Sequence, residues 1–313
     1  MTHPGIELIG STVLKAVTDG QTHAEAICAL NEAFPAAAVT AIMDLTVEAE
    51  AFGAEIRFSE NEIPNVIGRL VEDADAVAAL EVPGLDKGRV PEYLKANRIV
   101  ASRVKDKPVY GGCIGPFSLA GRLFDLSELM MAMYVEPETV TMLLDKCTAF
   151  LTAYVRAMKE TGISGVIMAE PAAGLISNDD CYTYSSTYVK KIIDAVQDDT
   201  FKVILHNCGN TGHCTDAMVR SGASAIHVGN RADMVAVLQA APAGLPVLGN
   251  IDPVGIMQQA TPDQVYAAVS DLLEKTAAFD NYILSSGCDV PPHTPIDNIK
   301  AFYRALADYN EKD

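Results

Sequence analysis

With 313 residues, 49% of them hydrophobic, the chain is long enough to bury a large core, and one domain with a small N-terminal extension is the default reading. A formal charge of -18 argues against nucleic acid and anionic membrane surfaces as partners, because both reward clustered Lys and Arg. The seven cysteines, at 28, 113, 147, 181, 208, 214 and 288, form an odd set with no small-domain disulfide pattern, which suits a reducing, cytoplasmic compartment.

The first twenty residues lack a charged region followed by an apolar one, and no apolar stretch reaches the ~20 residues of a membrane span, so no export or anchoring is expected. Thr22 and Glu25 make a capping-box pattern before a helix expected to stop near Pro35. Short apolar runs follow at 39–43, 109–113, 165–169, 202–205, 225–228, 245–248 and 282–284. Between them lie helical segments, among them 136–162, where Val140, Leu143, Leu144, Cys147, Leu151 and Tyr154 recur at helical spacing. This alternation implies parallel strands joined by crossover helices. Seven strands are one short of a closed eight-stranded barrel; the missing one is either residues 55–58 or lies within a segment read as helix. Thr261-Pro262 and Thr294-Pro295 each set a capping hydroxyl before a proline; the second opens a helix expected to bury Ile296, Ile299, Phe302 and Leu306.

Two of the strand runs end in metal-binding residue types. The run 201–205 empties into His206-Asn207-Cys208-Gly209-Asn210-Thr211-Gly212, and the run 282–284 into Ser285-Ser286-Gly287-Cys288. One imidazole and two thiolates make three corners of a tetrahedron, and a zinc site with three protein ligands keeps a fourth position for water or substrate. The plainer reading makes the cysteines inert small hydrophobes and the histidine a hydrogen-bonded core residue. Position at two strand exits, where barrel enzymes place their chemistry, favours the metal.

Asp252 follows the run 245–248, and two roles fit it: holding a substrate or orienting a ligand at the barrel mouth, or capping the next turn. His213, Cys214 and His227 carry metal-binding atoms too, but His213 and Cys214 fall in the expected helix after the His206 strand and read as structural. The guanidinium groups of Arg122 and Arg231 suit an anionic acceptor such as a sulfonate or carboxylate, or else a solvated salt bridge.

The order of GNTG after His-x-Cys, GNIDPV at 249–254 and SSGCDVPPHTPIDNIKAF at 285–302 resembles the uroporphyrinogen decarboxylase superfamily. Within it the match is to zinc-dependent methylcobalamin:coenzyme M methyltransferases and related corrinoid methyltransferases; MDLTVEAEAFGAEI at 43–56 and GPFSLAGRL at 115–123 extend it more loosely. The resemblance implies a (β/α)8 TIM barrel with a short N-terminal helical extension, here residues 1–38 of a single 1–313 domain. It implies that His206, Cys208 and Cys288 hold zinc, which binds an acceptor thiol such as coenzyme M as thiolate. That thiolate attacks the methyl group of a methylcobalamin-type corrinoid on a partner protein. Glu170 precedes Pro171 where relatives often show Asp-Pro, so it faces substrate or corrinoid, or caps a helix.

Two departures bear on this. Relatives often carry an acid where this chain reads Gly229-Asn230, an acid that completes the zinc shell in the absence of thiol; Asn230 is a poorer ligand. Residues 1–38 contain no Arg and one Lys, Lys15, so they offer little to a polyanionic porphyrinogen. A metal-free decarboxylase-like enzyme acting on a tetrapyrrole or other acidic substrate is the alternative, and the Arg-free segment counts against it; a noncatalytic corrinoid-protein partner with structural zinc is the third reading. No D-x-H-x-x-G cobalamin-carrying pattern occurs, so the corrinoid belongs to a separate protein; a homodimer is compatible with the acidic surface.

Overall fold

The computed structural model describes residues 3–311. Three helices come first: α1 His3–Leu8, α2 Val13–Thr18 and α3 Gly20–Ala33. Helix α3 stops one residue before Phe34 and Pro35, as expected, but its start differs. Asp19 is the cap, accepting from the Gln21 and Thr22 amides and from the Thr22 hydroxyl, while Glu25 accepts from Gln21 Nε2. A carboxylate beside the first turn is favoured by the helix dipole and takes the bonds that the threonine hydroxyl would have made.

The strands are β1 Val39–Thr40, β2 Glu55–Arg57, β3 Asn65–Ile67, β4 Val109–Ile114, β5 Gly165–Ala169, β6 Lys202–Asn207, β7 Ala225–Val228, β8 Val247–Ile251 and β9 Tyr282–Ser286. Seven of them form one sheet in the order β1-β4-β5-β6-β7-β8-β9. Every pairing in it is parallel, as crossover helices require. The result is a TIM-type barrel wall with its chemistry-bearing loops at the carboxyl ends of the strands. Residues 55–58 are not the missing barrel strand: β2 pairs antiparallel with β3 as a separate hairpin, Ile56 opposite Val66. The reason lies in the pattern. A parallel barrel strand is buried on both faces, whereas Glu55 and Arg57 are exposed on either side of a half-buried Ile56.

The long helix α4 Pro137–Glu160 buries Val140, Leu143, Leu144, Cys147, Leu151 and Tyr154 as its spacing predicts. Thr261 closes the expected capping box, with Gln264, on α5 Pro262–Thr276. Thr294 does not cap the last helix, α6 Ile296–Asn310; its hydroxyl donates to the Pro291 carbonyl and Pro295 stands at the cap. Helices α5 and α6 share a second apolar cluster containing Ile299 and Phe302, with Ile296 and Leu306 at its edge and Phe34 stacked on Tyr303.

Helix α1 meets the barrel mouth. His3 Nδ1 lies 3.2 Å from Asp289 Oδ2, and Glu7 Oε1 accepts from the His293 amide at 2.6 Å, so this helix braces the segment after Cys288. Among the described residues, no helix is long and apolar enough to cross a membrane.

Candidate active site

The loop leaving β6 is shaped by its own asparagines. Asn207 Oδ1 accepts the Asn210 amide at 3.0 Å, and Asn210 Oδ1 accepts the amides of Gly212 at 2.8 Å and Cys214 at 3.0 Å. Side chains that imitate a backbone turn in this way are why Asn is favoured in tight loops. The loop is pinned outward by Cys214, whose Sγ donates to the carbonyls of Ala173 and Ile176, and by His213 Nε2 donating to Ile176 O at 3.0 Å. Both residues therefore serve the loop, and Cys208 is left on its inner side.

The loop leaving β9 is fastened by Ser286, whose hydroxyl donates to the Cys288 carbonyl at 2.7 Å, and by the Gly287 amide donating to Ile251 O at 2.7 Å. The β7 exit wedges between the two cysteine loops. A Cβ on Gly229 would stand 2.8 Å from Cys208 Cα, and one on Gly287 would stand 2.5 Å from the Asn230 amide nitrogen, so both positions admit only glycine. Asn250 Nδ2 secures the wedge by donating to Gly229 O at 3.0 Å and Ala232 O at 2.8 Å.

This weave brings one ligand atom each of His206, Cys208 and Cys288 to within 4.8 Å of one another. Donors around a tetrahedral zinc, at about 2.0–2.3 Å from the ion, stand roughly 3.3–3.8 Å apart, so small side-chain rotations close the three on one ion. No Asp, Glu or further His or Cys joins the cluster among the described residues. Hydrogen bonding from Cys288 holds Cys208 down to about 7 against the opposing effect of burial, and donating that bond, with burial, pushes Cys288 up. A thiolate is thus available on Cys208 near neutral pH.

His227, on β7, sits in register with His206 on β6. The two Nδ1 atoms are 2.7 Å apart, and His227 Nε2 lies 2.8 Å from the Ser286 carbonyl on β9. Burial, reinforced by the neighbouring His206, holds the His227 ring down to about 3, so it is neutral.

The two carboxylates singled out in the sequence lie outside the cluster and act as caps. Glu170 is 1% exposed; its oxygens accept the Phe117 and Ser118 amides at 2.8 Å and the Ser118 hydroxyl at 2.6 Å, capping the helix Pro116–Phe124 from another part of the chain. Burial raises it to about 6. Asp252 Oδ1 accepts the Val254 and Gly255 amides at 2.9 Å, capping the turn Pro253–Gln258. Arg231 is exposed. Arg122 lines a cavity of about 360 Å³ together with Val66, Ile114, Ser118, Pro171 and Leu175. Asp44 and Glu48 lie near its guanidinium, which burial moves down. Pro171 also packs on Gly209, so the cavity adjoins the Cys208 loop.

Sequence reasoning missed Glu48, 1% exposed, which accepts the Ile114 amide at 3.1 Å at the end of β4. It also missed the bond between His206 and His227; the available signal was that both fall near the ends of strand runs adjacent in the sheet.

A profile of the uroporphyrinogen decarboxylase (URO-D) family matches residues 3–309. The chain belongs to that family. It is 32% identical to the methylcobamide:CoM methyltransferase MtbA of Methanosarcina mazei, the match covering 87% of this chain and 80% of that protein. The uroporphyrinogen decarboxylase of Parasynechococcus marenigrum is 30% identical, covering 87% of this chain and 78% of its own. A solved structure, a methyltransferase from Methanosarcina mazei, superposes with a TM-score of 0.89 at 25% identity, covering 98% of this chain and 90% of that one. The TIM-barrel expectation therefore stands at the level of the whole family fold.

Proposed function

We propose that this chain is a zinc-dependent methyltransferase that moves a methyl group between a methylcorrinoid, carried on a separate corrinoid protein, and a small thiol of the coenzyme M type. The observation that carries this reading is the His206–Cys208–Cys288 cluster, which no further His, Cys, Asp or Glu joins among the described residues. Likeness to relatives named methylcobamide:CoM methyltransferases supports it.

His206, Cys208 and Cys288 would hold the metal. Bound there, zinc supplies a Lewis acid that takes the acceptor thiol as its thiolate at neutral pH. The chain's own contribution begins with Cys208 and Cys288, which would bind as thiolates, so metal uptake would release protons. Their two negative charges offset a divalent cation and leave an incoming sulfur electron-rich. A thiolate held there would serve as nucleophile toward the methyl group of the partner's corrinoid, a sulfur–carbon bond replacing the cobalt–carbon bond, whose electron pair the corrinoid would keep. Arg122, in the cavity beside the Cys208 loop, suits an acid group on the acceptor's far end.

The decarboxylase alternative is favoured by the Parasynechococcus relative and opposed by residues 1–38, which contain no Arg. Zinc content by plasma emission spectroscopy, measured for wild type, Cys208→Ala and Cys288→Ala, tests the choice together with demethylation of free methylcobalamin by a panel of thiols. The expected outcome is about one zinc per chain, lost in both variants along with thiol-dependent demethylation. A metal-free wild type that leaves methylcobalamin untouched would overturn the proposal in favour of the decarboxylase reading.

A further inference from the structure

We propose that His227 is a positioning residue: its imidazole, anchored on the Ser286 carbonyl, fixes the His206 ring as the tautomer whose Nε2 carries the free lone pair. This rests on the metal-site reading above, and the argument for it comes from the hydrogen-bond polarity of two neutral rings and one carbonyl.

A carbonyl oxygen only accepts, so the 2.8 Å contact between Ser286 O and His227 Nε2 requires the proton on Nε2. A neutral ring carries one N–H, and His227 Nδ1 is then an acceptor. His206 Nδ1, 2.7 Å away, must be the donor, because two lone pairs or two N–H groups at that distance repel. That leaves His206 with Nε2 unprotonated. Metal-binding histidines nearly always donate their other ring N–H to an acceptor that sets the tautomer and raises ligand basicity, commonly a carboxylate or carbonyl. Here a second imidazole takes that place and passes the bond on to β9.

The same chain of bonds does a second thing. Ser286 also donates to the Cys288 carbonyl, so the His227 ring ties the orientation of His206 to the loop that carries Cys288. One side chain on β7, contributing no ligand, thereby orients His206 on the adjacent strand β6 and the loop carrying Cys288 after β9, two strands away on its other side.

The test uses the full chain and two variants. His227→Phe keeps an aromatic ring and removes both nitrogens; His227→Gln keeps an oxygen able to accept from His206 Nδ1. In zinc-free, 15N-labelled protein, two-bond proton–nitrogen spectra report the His206 tautomer directly. The expected result is the Nδ1–H form in wild type, loss of that preference in His227→Phe, and its return in His227→Gln. Competition with a chelator is expected to show zinc held about 10–100-fold more weakly by His227→Phe, most of it recovered in His227→Gln. An Nε2–H form in wild type, or a His227→Phe variant matching wild type in tautomer and zinc affinity, would overturn the proposal. Should His227→Phe fail to fold, the wild-type tautomer decides the matter alone. A wild type with the expected tautomer but no zinc affinity supports the hydrogen-bond chain and overturns the methyltransferase reading instead.

Discussion

Burial lifts the Glu48 carboxyl from 4.5 to about 7, which makes one residue a measurable lever on stability. Between those pH values the folded state keeps a proton that the unfolded state releases. Its contribution is therefore complete below pH 4.5 and is lost as pH rises through 7, on the order of 3 kcal/mol in all. Glu48→Gln cannot titrate, so urea unfolding of variant and wild type should show a stability difference that shifts in the variant's favour between pH 4.5 and 8. A difference that is flat across that range would refute the assignment. At this scale the clustering of His206, Cys208 and Cys288 was readable because His206 and Cys208 are two apart and Cys288 closely follows its own strand run. The roles of Glu170 and Asp252 were not settled by sequence, since an acid just past a strand serves chemistry and capping equally well. For Glu170 the deciding partners, Phe117 and Ser118, lie more than fifty positions away.

Elements are joined to one another by buried charge. Arg89 ion-pairs with Asp44 and Glu50, donates to Thr46 Oγ1 at 2.8 Å, and reaches the Val17 carbonyl at 3.3 Å, linking α2 to the loop after β1. The Asp44 side chain is 1% exposed, so Arg89→Ala would leave a buried carboxylate without its cation. Such a loss costs about 3–5 kcal/mol. Denaturant unfolding should show this as a lower midpoint; a shift below about 1 kcal/mol would mean that the pair contributes little. Legibility varied with the kind of element. Helix α4 was plain because twenty-four residues repeat one apolar face, whereas the β2–β3 hairpin was mistaken for a barrel strand because three residues carry almost no period. The helix start at Asp19 was misplaced because its carboxylate takes the first-turn amides in place of the Thr22 hydroxyl, and the one at Pro295 because the Thr294 hydroxyl turns back to the Pro291 carbonyl.

Over the whole molecule, the -18 charge implies self-repulsion that the fold must withstand. Raising salt from about 0.01 M to 0.15 M shortens the screening length from about 30 Å to 8 Å. The melting temperature should accordingly rise over that range, and a fall would show that attractive surface pairs outweigh the net charge. The barrel itself was legible because its order is sequential: each apolar run pairs with its neighbour in the chain, save for the hairpin inserted between β1 and β4. Lateral contacts such as His206 with His227 were not, because they depend on register, which strand runs alone do not specify.

The close approach of Gly229 to Cys208 and of Gly287 to Asn230 also limits how this chain can change over generations. A side chain at 229 cannot arrive by one substitution without displacing the neighbouring loop, and the same holds at 287. Any lineage that placed a side chain at either glycine would have to move the segment facing it, the Cys208 backbone for 229 and Asn230 for 287.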